Sequence, residues 1–261
     1  MSAALEVDGL SVSYGGLLAV ADVSLRVEVG QLVGLIGPNG AGKTSLIDAI
    51  TGFASSSGAL RFDGQDISRM PTHRRARLGL ARTWQSVELF DDLTVREHVL
   101  VAYEACGKSR TRGLFTRASA SHEEVELALD AVGLSEFADR STGELSHGQR
   151  KLVGIARAIA GRPKVILLDE PAAGLDSNES ELLGVQFRRL LDQGFGLLLI
   201  EHDVQMVATI CDYLYALDFG RLIAEGSCHD VLREPVVQAA YLGAEGATAG
   251  DRAIAALEAR A

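Results

Sequence analysis

Three short stretches of the chain are apolar without interruption: Leu32-Val33-Gly34-Leu35-Ile36, Val165-Ile166-Leu167-Leu168 and Gly196-Leu197-Leu198-Leu199-Ile200. Continuous rather than alternating apolarity suits strands of a parallel sheet that is covered on both faces. Elsewhere the pattern has a period of two. Residues 5–14 and 23–29 alternate apolar and polar side chains, which predicts half-exposed antiparallel strands. Residues 59–63 predict a further short strand closed by a turn at Asp63-Gly64, and 213–225 predict a hairpin turning near Phe219-Gly220. Helices are expected where the period lengthens. One follows the first apolar run at Ser45-Leu46-Ile47-Asp48-Ala49-Ile50, and another follows Leu145-Ser146-His147-Gly148-Gln149 and runs through Ala160. Residues 86 to about 144 read as mostly helical, with Thr94 three positions before Glu97 in the manner of a capping box. Within them 107–121 are small, polar and basic and read as a mobile connection, with helix resuming at His122–Leu129. The expected architecture is α/β: a parallel core, an antiparallel β-layer beside it, and an inserted helical part.

Composition narrows the class. A chain of 261 residues with 47% hydrophobic content can bury the core of one large domain, or of a domain with a subdomain. Its net charge of −10 argues against a protein that coats nucleic acid or anionic lipid, so no nucleic-acid partner is expected. Cys106, Cys211 and Cys228 are odd in number, show no paired metal-ligand spacing and fit a reducing compartment. The first residues lack a basic segment followed by an apolar one, so no signal peptide is expected. No apolar run approaches about 18 residues, so any membrane-spanning part is expected in another chain.

Chemistry enters at Gly37-Pro38-Asn39-Gly40-Ala41-Gly42-Lys43-Thr44, which fits the phosphate-binding pattern G-x-x-x-x-G-K-[ST] between a strand and a helix. Gly37, Gly40 and Gly42 carry no Cβ, so the loop can curl with its N–H groups inward. The helix N-terminus aims partial positive charge at the same point. Lys43 supplies a full charge for β- and γ-phosphates, and Thr44 a hydroxyl for Mg²⁺. Asp169 and Glu170 end the second apolar run, at the strand end where α/β sheets hold ligands. Asp169 suits orientation of Mg²⁺, and Glu170 suits the general base that polarises water for attack on a γ-phosphate. Arg74, Arg75, Arg77 and Arg82 read as a solvated helix face. Asp218-Phe219-Gly220 spells a kinase metal motif without any other kinase element and reads as coincidence.

Together with Leu145-Ser146-His147-Gly148-Gln149, the phosphate-binding loop and Val165–Glu170 resemble the ATP-binding subunit of ABC transporters, over about residues 5 to 243. The resemblance implies an ATP-binding domain at 1–243 with a helical subdomain at about 86–160, leaving an Ala-rich tail at 244–261. It implies that Tyr14 stacks on adenine and that Gly37 through Thr44, with Ser45, cradle the phosphates. It makes Gln85, between the motifs, a contact to Mg²⁺ and the attacking water. Ser146, Gly148 and Gln149 would belong to a second anion site that takes the γ-phosphate of ATP held by the other subunit. His147 departs from the family's commonest form, which has glycine there; its side chain is expected to point away from phosphate. Asp176, in Pro171-Ala172-Ala173-Gly174-Leu175-Asp176, would contact the opposite subunit, and His202 would sense the γ-phosphate. The expected metal set is Thr44, Gln85 and Asp169, and the expected catalytic set Glu170, His202 and Gln85. Glu201 and Asp203 receive no role.

The stretch Ala172–Asp176 and the ending Ile223-Ala224-Glu225-Gly226, Glu234-Pro235 and Ala240-Tyr241-Leu242-Gly243 resemble branched-chain amino acid importer subunits. The expected function is the ATP-hydrolysing subunit of a membrane importer for branched-chain amino acids or related small polar solutes. Its expected cofactors are ATP and Mg²⁺. Its expected partners are permease subunits, a second ATP-binding subunit identical or related to this chain and, indirectly, an extracytoplasmic solute-binding protein. Its expected place is the cytoplasmic face of the membrane. The alternatives are a lipid or lipopolysaccharide exporter subunit and a soluble ABC-type ATPase without a transport role.

Overall fold

The computed structural model describes residues 3–106 and 114–242. In chain order it begins with β1 (Leu5–Tyr14), β2 (Leu17–Val27), β3 (Leu32–Ile36), α1 (Lys43–Thr51), β4 (Ser56–Phe62), β5 (Gln65–Asp66), α2 (Thr72–Leu78) and β6 (Leu80–Arg82). A helical part follows: α3 (Val95–Ala105), α4 (Leu114–Ala131) and α5 (His147–Ile159). The chain then returns through β7 (Val165–Asp169), α6 (Ser177–Asp192), β8 (Gly196–Ile200), α7 (Val204–Ile210), β9 (Tyr213–Asp218), β10 (Arg221–Gly226) and α8 (Cys228–Arg233).

The apolar runs lie side by side. β3, β8 and β7 are fully buried and pair in parallel within a sheet of order β10-β9-β3-β8-β7-β6. Side chains of a strand alternate in direction, so each run feeds two cores at once. Leu32, Ile36, Ile166, Leu168, Leu197 and Leu199 join the core built with α5 and α6. Val33, Leu35, Val165, Leu167, Leu198 and Ile200 join the opposite core, with α1 and the antiparallel sheet. That second sheet has the order β2-β1-β4-β5, the half-exposed layer that alternation predicts. The strand expected at 23–29 begins earlier, at Leu17, because β2 folds back on β1 across a two-glycine turn that pairs Tyr14 with Leu17.

Three expectations are corrected. Residues 86–94 form no helix. Their carbonyls are taken by remote groups instead: Arg157 donates to Glu88 O, the Thr142 hydroxyl to Phe90 O and the Ser141 hydroxyl to Asp91 O. The connection expected over 107–121 is helical from Leu114, where α4 begins; 107–113 lie outside the described residues. The tail at 244–261 lies outside them as well. The arginines do not share one solvated face. Arg75 is 4% exposed and donates to Ala49 O and Ile50 O, carbonyls in the last turn of α1, where helix carbonyls run short of backbone donors. The Arg82 side chain is 6% exposed and joins the site described next.

Candidate nucleotide site

β3 delivers the phosphate-binding loop and α1 leaves from it. A Cβ at Gly37 would lie 2.2 Å from Leu217 O, and one at Gly42 2.4 Å from Ala19 O, so the loop fits against β9 and β2 only with glycine at these positions. Lys43, the first residue of α1, is buried, and its ammonium donates to Gly37 O at 2.7 Å and Pro38 O at 3.0 Å. Burial pushes its pKa down, while Glu170 and then Asp169 pull it back up. Thr44, Gln85 and Asp169 line one cavity of about 1040 Å³. Asp169 ends β7 and accepts from Arg82 Nη2 at 2.8 Å, while Arg82 Nη1 donates to Asp48 Oδ1 of α1 at 2.5 Å. Arg82 therefore ties α1 to the end of β7 beneath the loop, and its guanidinium lies 4.1 Å from the Trp84 ring centre.

Glu170 turns the chain out of the sheet. Its φ of 47° is left-handed, a conformation that costs a side-chain-bearing residue free energy and concentrates at functional sites. Its carboxylate accepts from Gln85 Nε2 at 2.5 Å and lies 2.6 Å from His202 Nε2. Three residues from separate loops, after β6, β7 and β8, thus meet where the parallel strands end. Two buried titratable groups frame them. Lys151 of α5 donates to Gln85 O at 2.8 Å, and burial lowers its pKa against the pull of Glu201 and Glu170. Glu201 accepts from the backbone N–H groups of Ala172 and His202. Sequence reasoning passed over Arg82, Lys151 and Glu201. Glu201 carried a readable signal: like Asp169, it closes a buried apolar strand.

Ser146 caps α5 in a capping box with Gln149, whose Oε1 accepts from Ser146 N at 2.9 Å. The Ser146 hydroxyl and the Gly148 N–H both donate, at 3.3 Å, to Oε1 of Glu179 in the same chain. These are two donors of the expected second anion site. Asp176 caps α6 and accepts from Glu179 N at 2.8 Å. Asp203 caps α7, which gives that residue a local role. The His147 ring lies against Gly174: a Cβ there would be 3.3 Å from its Nε2. Tyr14 closes β1, half exposed, opposite Leu17 of β2, the strand whose Ala19 abuts Gly42. Asn39 and Gly40 are exposed at the crest of the loop, Ala41 is buried and Ser45 half-buried.

The donor set fits a nucleoside triphosphate with its cation. Mg²⁺ takes hard oxygen ligands and shares them with phosphates rather than with an all-protein cage. Thr44 and Asp169 offer such oxygens in one cavity, and no cluster of three His, Cys, Asp or Glu competes among the described residues.

Phosphate loop, acidic strand end and flanking histidine at the ends of parallel strands in one sheet define a P-loop nucleoside triphosphatase. More narrowly, the ABC transporter family model matches residues 20–173, and the chain belongs to that family. BraF of Pseudomonas aeruginosa, a high-affinity branched-chain amino acid transport ATP-binding protein, is 42% identical over 92% of this chain and 97% of its own length. LivG of Escherichia coli K12, of the same description, is 36% identical over the same shares. Among solved structures, the ATP-binding cassette MJ1267 of an ABC transporter superposes with a TM-score of 0.83 at 33% identity, covering 93% of this chain and all of that one. Its ADP conformation gives 0.82 at 32% identity over the same share of this chain. The chain is a transport ATPase, the ATP-hydrolysing subunit of an importer, and such a subunit implies permease partners in the membrane. The exporter and soluble non-transport readings find no support.

Proposed function

We propose that this chain drives import of branched-chain amino acids by hydrolysing ATP on Glu170, as one of two head-to-tail ATP-binding subunits on the cytoplasmic face of the membrane. The observation that carries the reading is the Glu170 carboxylate held between Gln85 Nε2 and His202 Nε2, within electrostatic reach of Lys43. Glu170 accepts the proton of the attacking water, and Gln85 and His202 fix its orientation. Lys43 and the loop amides from Gly37 to Ser45 offset phosphate charge. Thr44, Asp169 and Gln85 would hold Mg²⁺, which would supply positive charge against the phosphates. Tyr14 offers adenine a flat face. Ser146 and Gly148 serve the ATP of the opposite subunit, and Asp176 faces that subunit. In this reading the ATP-binding domain spans 1–243, the helices at about 86–160 are its inserted subdomain, and a solute-binding protein presents the substrate to the permease from outside. The described residues hold no helix long and apolar enough to cross a membrane, in keeping with a separate permease.

Substituting Glu170→Gln tests the reading. The amide keeps the shape and cannot take a proton. Purified variant is expected to bind ATP, to lose turnover by about 100-fold or more, and to elute as an ATP-trapped dimer. Wild-type turnover in that variant removes Glu170 from the base role.

A further inference from the structure

We infer that Glu201 is a positioning residue for ATP hydrolysis: its buried carboxylate clamps the backbone of His202 to the loop that follows Glu170, and so fixes the imidazole against Glu170. The inference rests on the reading of Glu170 and His202 just given.

Glu201 follows β8 directly and is 3% exposed. Its Oε1 accepts from the Ala172 N–H at 2.7 Å and its Oε2 from the His202 N–H at 3.2 Å. β7 and β8 are neighbours whose last register pair is Asp169 with Ile200, so Glu170 and Glu201 are the next residues out on each strand. Both strands end there, and the backbone after each is irregular. Glu201 closes them into a ring. The chain runs from Glu170 through Pro171 to Ala172, across the carboxylate to His202, and back through the imidazole to Glu170. A ring closed at both contacts leaves His202 little freedom to swing away from Glu170.

The residue type fits this task and no simpler one. A buried carboxylate costs free energy unless it is hydrogen-bonded, and an aliphatic side chain would pack at the sheet end without that cost. Two acceptor oxygens on one planar group can serve two backbones at once; an amide has a single acceptor. The surroundings record the cost. Burial pushes the Glu201 pKa up to about 7, while its two N–H donors pull it down. Glu170 and Asp203 repel its charge, and Lys151 attracts it from α5.

The test measures steady-state ATPase of the purified full chain. In Glu201→Gln the kcat is expected to fall about tenfold or more, as misplacement of a reacting group does, with KM for ATP within about twofold. A general loss of folded protein could imitate that, so the double variant Glu201→Gln/His202→Ala decides. If Glu201 acts through His202, the double variant is no slower than His202→Ala alone; multiplied losses overturn the inference, as does wild-type kcat in Glu201→Gln. Should Glu201→Gln not fold, hydrogen exchange in the wild type decides. Protected amides at Ala172 and His202 support the clamp, and unprotected ones overturn it. Glu170→Gln and His202→Ala run in parallel. If both keep turnover, the reading of the centre fails; if both lose it while Glu201→Gln does not, only the clamp fails.

Discussion

Glu201 carries a pH dependence of stability that can be separated from its part in turnover. Its carboxyl titrates near 4.5 when unfolded and at about 7 when folded, because burial disfavours the charge. The folded state therefore prefers the protonated form. The stabilisation is complete below pH 4.5 and is lost as pH rises to about 7, worth up to roughly 3 kcal/mol at 1.36 kcal/mol per pKa unit. Lys151, Glu170 and Asp203 face the group and shape the window. Urea unfolding of wild type and Glu201→Gln at pH 5 and pH 8 checks this: the variant should gain on the wild type by about 2–3 kcal/mol between the two values. An equal gap at both would show that Glu201 does not titrate there. Residues differ in how far the sequence discloses them for a physical reason. The loop from Gly37 to Thr44 acts through its own backbone, so its spacing announced its chemistry. Arg75, Arg82 and Lys151 act on partners 26, 87 and 66 positions away, and no local pattern reports such pairings.

At the scale of elements, the parallel strands were legible because burial on both faces writes itself as unbroken apolarity, and the antiparallel layer because half-burial writes itself as alternation. The stretch 86–94 was not, because its backbone is held by α5 and the turns before it rather than by its own periodicity. The meeting of α5 and α6 was hidden in the same way. Each helix opens with a capping box, and Glu179 serves both: it completes the box of α6 and places one oxygen on the Ser146 hydroxyl and Gly148 N–H of α5. If the opposite subunit's γ-phosphate is to take those donors, it meets a carboxylate already on them, and like charges at contact distance repel by several kcal/mol at an intermediate dielectric of about 20. Gln at 179 keeps the capping box and removes the charge. In a Glu170→Gln background, Glu179→Gln is therefore expected to lower the ATP concentration for half-maximal dimer formation by about threefold or more, read by light scattering. An unchanged or raised midpoint would mean that Glu179 does not compete for the site.

The whole molecule joins this chemistry to a surface suited to a membrane partner. The cavity that holds Thr44, Gln85 and Asp169 runs on into a groove walled by Phe53, Trp84, Phe90 and Ala102, where α1, the segment after β6 and α3 converge. Phe53, Trp84 and Phe90 are all more than half exposed, and clustered exposed aromatics mark protein-binding surfaces. The segment after β6 belongs to both ends of the cavity. Gln85 touches Glu170 at one end of it, and Phe90 stacks on His98 of α3 at the other. A permease segment seated in the groove would bear directly on the residues that hold Glu170, which is the link that coupling transport to hydrolysis needs. Tagged Glu170→Gln protein, pulled from detergent-solubilised membranes with Mg-ATP, should bring a permease pair with it. The second ATP-binding chain recovered, identical or different, would fix the composition of the pair. Phe53 touches no catalytic group, so Phe53→Ser should cut permease recovery about tenfold, the size expected when an aromatic interface anchor is truncated. ATPase of the purified subunit should stay within about twofold. Undiminished recovery would place the permease contact elsewhere on the molecule, and a parallel loss of ATPase would mean that the substitution had disturbed α1 rather than the groove.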